Sequence, residues 1–280
     1  MITYGKLIEN AKKRIDLNNL EHRAIYLFLG DILNADRSKI LLLKDEVVED
    51  NILEKFSEML ADYIIDEKPI EYVLGYTYFY GNKIKVNNDV LIPRDETEEL
   101  VEKALSYIKD GDKVLDLCTG SGAIAISIKK KCKNIDVIAS DISSKALKVA
   151  KDNALFNEVE IKFVEGDLLN PFKEKEKFNV IVCNPPYIKK DYPINNFVKH
   201  EPSLALFADD NGLANYESII KGIKEVLNEE GIVLFEIGYD QKEDLLSLCK
   251  RYLSNYEFNS YKDLNGKDRI VTIKLLATND

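Results

Sequence analysis

Val114-Leu115-Asp116-Leu117-Cys118-Thr119-Gly120-Ser121-Gly122-Ala123-Ile124-Ala125 reads as a buried strand, a tight glycine-containing turn and the start of a helix. Glycines let the backbone approach a ligand closely, and the helix start offers unpaired N–H groups. A lone Gly-x-Gly also serves packing, so its surroundings decide. Strand and helix patterns alternate around it, with apolar strands expected at 113–117, 136–140, 161–165, 179–183 and 232–236. Helical stretches such as 144–157 and 216–228 separate them. This alternation predicts an α/β fold built on a doubly wound, mostly parallel sheet. The tail departs from it: 256–262 and 268–275 flank a turn at Asn265-Gly266, so the sheet is expected to end in an antiparallel pair.

Three carboxylates stand at the expected strand ends. Asp116 precedes the glycine turn, Asp141 ends the next strand and Asp167 follows the third, with Leu168 beside it. An acid about twenty residues past a glycine turn is placed to accept bonds from two ribose hydroxyls, and Asp167 is placed to receive an adenine amino group. The full G-x-G-x-x-G of a dinucleotide enzyme is absent, as is the Gly-Lys-Ser/Thr of a phosphate loop. Acids clustered here repel a pyrophosphate but suit a cationic sulfonium and its ribose, which points to S-adenosylmethionine as cofactor. Its expected contacts are Asp116, Cys118, Thr119, Gly120, Ser121, Gly122, Asp141, Asp167, Leu168 and Asn184. The plain alternative is that the acids merely cap strands.

Asn184-Pro185-Pro186-Tyr187 follows the fourth expected strand, at the carboxyl edge where open α/β sheets bind ligands. Consecutive prolines fix φ and remove competing backbone donors. Asn184 supplies a side-chain carbonyl, Pro185 a backbone carbonyl and Tyr187 a flat face, with Pro186 keeping the turn rigid. Together they suit a clamp for a planar –NH2 group, with Asn184, Pro185 and Tyr187 as catalytic residues and all four binding substrate. The alternative is a rigid proline turn and nothing more.

Composition limits the partners. A net charge of −10 over 280 residues disfavours extensive phosphate contacts, so no direct nucleic-acid partner is expected. No apolar run reaches membrane-span length and the start lacks a signal-peptide pattern, which leaves the cytoplasm as the default compartment. Cys118, Cys132, Cys183 and Cys249 are widely spaced without a CxxC pair, and only His22 and His200 accompany them. No metal site is expected. His200 reads as a polar loop residue, and Arg94 and Arg269 are expected to pair with acids between domains.

Helical periodicity from Thr3 to about Ile65, as in Leu7, Ala11 and Ile15, predicts a small helical domain over 1–67 that docks the substrate. Residues 76–86 predict a hairpin turning at Gly81-Asn82, within a linker over 68–96. Residues 97–280 form the expected catalytic domain.

At these residues the chain resembles amino-methyltransferases carrying an Asn/Asp-Pro-Pro-aromatic motif. More narrowly, it is similar to the peptide chain release factor N5-glutamine methyltransferase family. The similarity spans nearly the whole chain. Besides 116–125 and 184–187 it includes Pro69-Ile70-Glu71-Tyr72-Val73-Leu74-Gly75, Val90-Leu91-Ile92-Pro93-Arg94 leading into Glu96-Thr97-Glu98, 201–207 and 263–269. The segment through Arg94 is the most specific part, because nucleic-acid amino-methyltransferases lack it. The resemblance implies a Rossmann-like class I methyltransferase fold with a small helical N-terminal domain. It also implies methyl transfer from S-adenosylmethionine to a glutamine amide nitrogen in the Gly-Gly-Gln motif of a class I release factor. A ribosomal-protein glutamine is the nearest alternative acceptor, and an adenine N6 atom a more distant one. Three positions depart from the family pattern. Cys118 replaces a common glycine and is therefore expected at negative φ, Asp95 replaces a usual proline, and Ala208-Asp209-Asp210-Asn211-Gly212 replaces a more glycine-rich stretch.

Overall fold

Thr3 begins the first helix by accepting the Lys6 amide on its hydroxyl, an N-cap that satisfies one of the free first-turn donors. The computed structural model describes residues 1–276 and groups them in two units, Met1–Tyr76 with Ile194–His200, and Thr77–Pro193 with the chain from Glu201 onward. The first unit holds α1 (Tyr4–Leu17), α2 (Arg23–Leu33), α3 (Arg37–Leu42), α4 (Asp50–Ile64) and α5 (Ile70–Leu74). Each presents an apolar stripe inward, and Ile15, Ile25, Phe28, Leu29, Ile40 and Phe56 are fully buried. Phe28 meets Tyr63 edge-on at 6.0 Å, and Tyr63 meets Phe197 at 5.6 Å. Residues 194–200 thus contribute to a core otherwise made near the chain start. In the same unit His200 Nε2 lies 2.8 Å from the Asp66 carbonyl, a loop anchor.

The second unit opens with a hairpin of β1 (Tyr76–Phe79) and β2 (Asn82–Lys85). Its turn is Tyr80-Gly81, at φ 49° and 75°, one residue earlier than the expected Gly81-Asn82. A two-residue hairpin turn needs positive φ at both positions. Asn82 instead starts β2 and is buried, with Nδ2 donating to Ser127 Oγ at 3.2 Å. Then follow α6 (Asp95–Leu105), β3 (Lys113–Leu117), α7 (Ala123–Lys131), β4 (Asp136–Asp141), α8 (Ser144–Phe156), β5 (Lys162–Glu165) and β6 (Phe178–Cys183). After these come β7 (Ile188–Lys189), α9 (Ser203–Leu206), β8 (Phe207–Ala208), the distorted single turn α10 (Asp209–Gly212) and α11 (Ala214–Val226). The last elements are β9 (Leu227–Glu236), α12 (Lys242–Tyr252), β10 (Tyr256–Lys262) and β11 (Asp268–Leu275).

Seven strands form one sheet in the order β10-β11-β9-β6-β3-β4-β5. The pairs from β9 to β5 are parallel; β11 pairs antiparallel with both β9 and β10. This is the mostly parallel α/β sheet with an antiparallel end expected from the alternation. Central strands are mostly apolar because helices cover both faces: Leu115, Ile181, Val233 and Phe235 are fully buried. From β3 the chain proceeds outward to β4 and β5, then crosses back to β6 on the other side of β3. That reversal opens a crevice beyond the carboxyl ends of β3 and β6, where such folds bind ligands. Among the described residues no helix is long and apolar enough to cross a membrane.

Candidate active site

A cavity of about 380 Å³ occupies that crevice. It is lined by the ends of β3 (Leu117, Cys118), β4 (Ser140, Asp141) and β6 (Asn184), and by Gly166-Asp167-Leu168 after β5. Cys118, Gly120, Asp141, Asp167, Leu168, Asn184 and Pro186 therefore lie on its wall. Asp116, Thr119, Ser121, Gly122, Pro185 and Tyr187 do not line it.

The loop after β3 is built from beneath. Asp116 is fully buried, and its Oδ2 accepts from Thr119 Oγ1 at 2.5 Å and the Ala125 amide at 3.1 Å. Burial pushes its carboxyl up to about 7, against those two donors, and the nearby Asp141 charge adds to the rise. The two glycines have separate tasks. A Cβ at Gly122 would sit 3.1 Å from the Ala150 Cβ, so Gly122 permits helix packing. A Cβ at Gly120 would meet nothing within 4 Å, so the backbone there faces open space. Cys118 has φ 61°, not the negative value expected from its side chain. The turn out of β3 requires left-handed backbone whatever residue occupies it, and Cys carries the strain of about 1–2 kcal/mol.

Asp141 fixes the opposite wall. Oδ2 accepts the Gly120 amide and Oδ1 the Ser143 amide, both at 2.9 Å, which locks the carboxylate while leaving further lone pairs on each oxygen. Burial raises its pKa despite these donors. Four carboxylates (Asp89, Asp141, Asp167, Asp209) line the cavity against one lysine, Lys190, itself paired with Asp209 at 2.5 Å. Ser140 Oγ, also on the wall, is buried with no hydrogen-bond partner among the described residues. An acidic wall, a free buried hydroxyl and a bare glycine backbone fit a cationic, ribose-bearing cofactor. Among the described residues no group of three potential ligands could hold a metal ion.

The Asn-Pro-Pro-Tyr turn is braced through its carbonyls and side chains. Asn215 Nδ2 donates to the Pro186 carbonyl at 2.9 Å and Gln241 Nε2 to the Tyr187 carbonyl at 3.1 Å. The Pro185 carbonyl accepts none of the described hydrogen bonds. Asn184 Nδ2 donates to Thr97 Oγ1 at 3.3 Å, Thr97 Oγ1 donates to Glu236 Oε2 at 2.6 Å, and Tyr187 Oη donates to Glu236 Oε1 at 3.1 Å. Burial raises the Tyr187 and Glu236 pKa values, and the Arg269 charge opposes both shifts. Tyr187 is thus tied into the sheet edge rather than standing on the cavity wall.

Arg94 and Arg269 do pair with acids, but inside the second unit. Arg94 bonds Glu201, whose other oxygen accepts the Ile92 amide at 3.0 Å, and Arg269 Nε lies 3.4 Å from Asp263 Oδ2. The role of Glu236 was not legible in the sequence, where it reads only as the end of an apolar strand. A charged residue ending a buried run was the available signal.

Comparisons with known proteins bear on the family and the fold. The family model "Methyltransferase small domain" matches residues 94–201. A release factor glutamine methyltransferase of Staphylococcus aureus is 36% identical over 279 residues, covering 98% of this chain and 100% of that protein. One from Lactococcus lactis is 40% identical over 238 residues, covering 84% and 87%. Among solved structures, a methyltransferase from Pyrococcus furiosus aligns with TM-score 0.54 at 18% identity, over 80% of this chain and 99% of that one. At that identity the likeness speaks for the fold alone. With near-complete coverage in both directions, the chain belongs to the release factor glutamine methyltransferase family.

Proposed function

We infer that this protein transfers a methyl group from S-adenosylmethionine to the side-chain amide nitrogen of a glutamine in a class I peptide chain release factor. The observation carrying this reading is the braced Asn-Pro-Pro-Tyr turn beside an acidic cavity at the sheet's switch point. When bound, the cofactor supplies an electrophilic methyl on a sulfonium. Asp141 would hold its ribose hydroxyls, Asp167 and Leu168 the adenine side, and the Gly120 backbone would lie against it.

An amide nitrogen is a weak nucleophile because its lone pair is delocalised into the carbonyl. Asn184 Oδ1 and the Pro185 carbonyl would each accept one N–H of the substrate glutamine. That orients the nitrogen, favours its pyramidalisation and stabilises positive charge as it develops. No strong base is needed beforehand, since the methylated nitrogen becomes acidic and then loses its proton. The helical unit would dock the protein substrate.

Purified protein, labelled S-adenosylmethionine, a release factor, a ribosomal protein and duplex DNA form the direct test. Label on one release-factor glutamine, located by peptide mass spectrometry, is expected; label on the ribosomal protein or on DNA alone would overturn the assignment. Asn184→Ala is expected to cut kcat by about 10²–10³-fold while cofactor affinity measured by calorimetry changes little.

A further inference from the structure

An asparagine amide can sit either way round, and only one way offers Oδ1 to an incoming –NH2 group. Beneath Asn184 the direction of each hydrogen bond can be worked out from the donor inventory. Glu236 is 2% exposed, and its two oxygens receive Tyr187 Oη and Thr97 Oγ1. An ionised carboxylate can only accept, so the single hydroxyl proton of Thr97 is committed to it. The Thr97 oxygen then has only lone pairs left to offer. The Asn184 atom 3.3 Å away must be the donating Nδ2, which leaves Oδ1 for the substrate.

We propose that Glu236 is a positioning residue for methyl transfer, acting through Thr97 to hold the Asn184 amide with Oδ1 toward the substrate. It acts through Tyr187 to brace the same turn. This step rests on the glutamine-clamp reading above. Its elements come from three distant parts of the chain: Thr97 on α6, the turn after β6, and Glu236 at the end of β9.

Protonation would reverse the chain. A neutral Glu236 donates its own O–H to Thr97, the Thr97 proton turns to Asn184, and the amide is favoured the other way round. Nδ2 would then face the substrate –NH2, donor against donor. Burial favours that neutral form, Thr97, Tyr187 and Arg269 oppose it, and Glu96 on α6 adds to the rise. Tyr216 Oη also packs here, donating to the Glu236 backbone carbonyl at 2.7 Å. Loss of activity on the acid side is therefore expected to follow Glu236 titration, and to be absent in Glu236→Gln.

The test compares Glu236→Gln, Thr97→Val and Thr97→Ser in steady-state methyl transfer. Glu236→Gln and Thr97→Val are expected to lower kcat about tenfold or more, with cofactor affinity within about threefold of wild type. Thr97→Ser keeps the hydroxyl and is expected to stay near wild type. In an Asn184→Ala background, Glu236→Gln is expected to add less than its full loss, because the part of its effect that runs through the amide is already gone. Full multiplication of the two losses, or undiminished kcat in Thr97→Val, would overturn the proposal. Amide orientation is also read without substrate. The Asn184 side-chain –NH2 signals, assigned by their disappearance in Asn184→Ala, are expected to shift in Thr97→Val. Unmoved signals would sink the positioning role even where transfer to a release factor is seen. Shifted signals in a protein that labels no release factor would sink the functional reading alone.

Discussion

Cys118, Asp210 and Asn211 hold left-handed backbone at φ 61°, 50° and 57°, a region that favours glycine. Asp and Asn tolerate that region better than other side chains, because their short polar groups bond locally. Holding left-handed backbone without glycine costs about 1 kcal/mol or more per position. Asp116 shows the opposite kind of strain, a buried carboxyl beneath the glycine turn. Its folded pKa is raised to about 7, above the unfolded carboxylate value of about 3.9. A raised value means the group's contribution is fully present below the unfolded pKa and is lost as pH climbs through the folded one. Wild type is expected to lose stability between about pH 4 and pH 7 by up to a few kcal/mol more than Asp116→Asn. Thermal or urea unfolding of both proteins across that range checks it; parallel curves would contradict the assignment.

At the scale of elements, the turn after β6 stays in place because two short strands lock it. β7 pairs parallel with β8, Ile188 opposite Phe207, and α10 then turns back beneath the Tyr187 carbonyl. Gly212 makes that approach possible: at φ 90°, a Cβ there would lie 2.1 Å from the Tyr187 oxygen. Gly212→Ala is expected to destabilise by about 2 kcal/mol or more and to lower kcat, since the displaced Tyr187 carbonyl braces the turn that carries Asn184 and Pro185. Calorimetric unfolding together with methyl-transfer rates reads both effects. Neighbouring elements differ in how well they can be read beforehand. Strands β3, β4 and β6 are predominantly apolar and buried, so their position follows from burial on both faces. The hairpin turn at Tyr80-Gly81 fell one residue from its expected place. Asn82 looked like a turn residue, but its amide bonds Ser127 on α7, a partner 45 positions away.

Across the whole molecule, the two units each carry their own core, and neither is wholly contiguous in sequence. Phe197 reaches Tyr63 from far along the chain and packs against the first unit's core. Truncating it in Phe197→Ala is expected to cost that unit about 1–3 kcal/mol, less than a fully buried ring would. Hydrogen exchange should then lose protection in α2 and α4 while β3 and β6 keep theirs. Equal loss everywhere would contradict separate cores.

The alternation of strands and helices, the carboxylates at strand ends and the Asn-Pro-Pro-Tyr turn after the fourth parallel strand were all determined by the sequence itself. Those signals are local: apolar periodicity, turn chemistry and the donor inventory of a few adjacent residues. Only the tertiary structure decided which residues stand behind that turn. Thr97 and Glu236 are 139 positions apart, yet their hydroxyl and carboxylate meet at 2.6 Å. Hydrogen-bond direction depends on partners brought together by sheet topology, and no local pattern encodes it. The same holds for Cys118, whose side chain suggested one backbone conformation while the turn out of β3 imposed another.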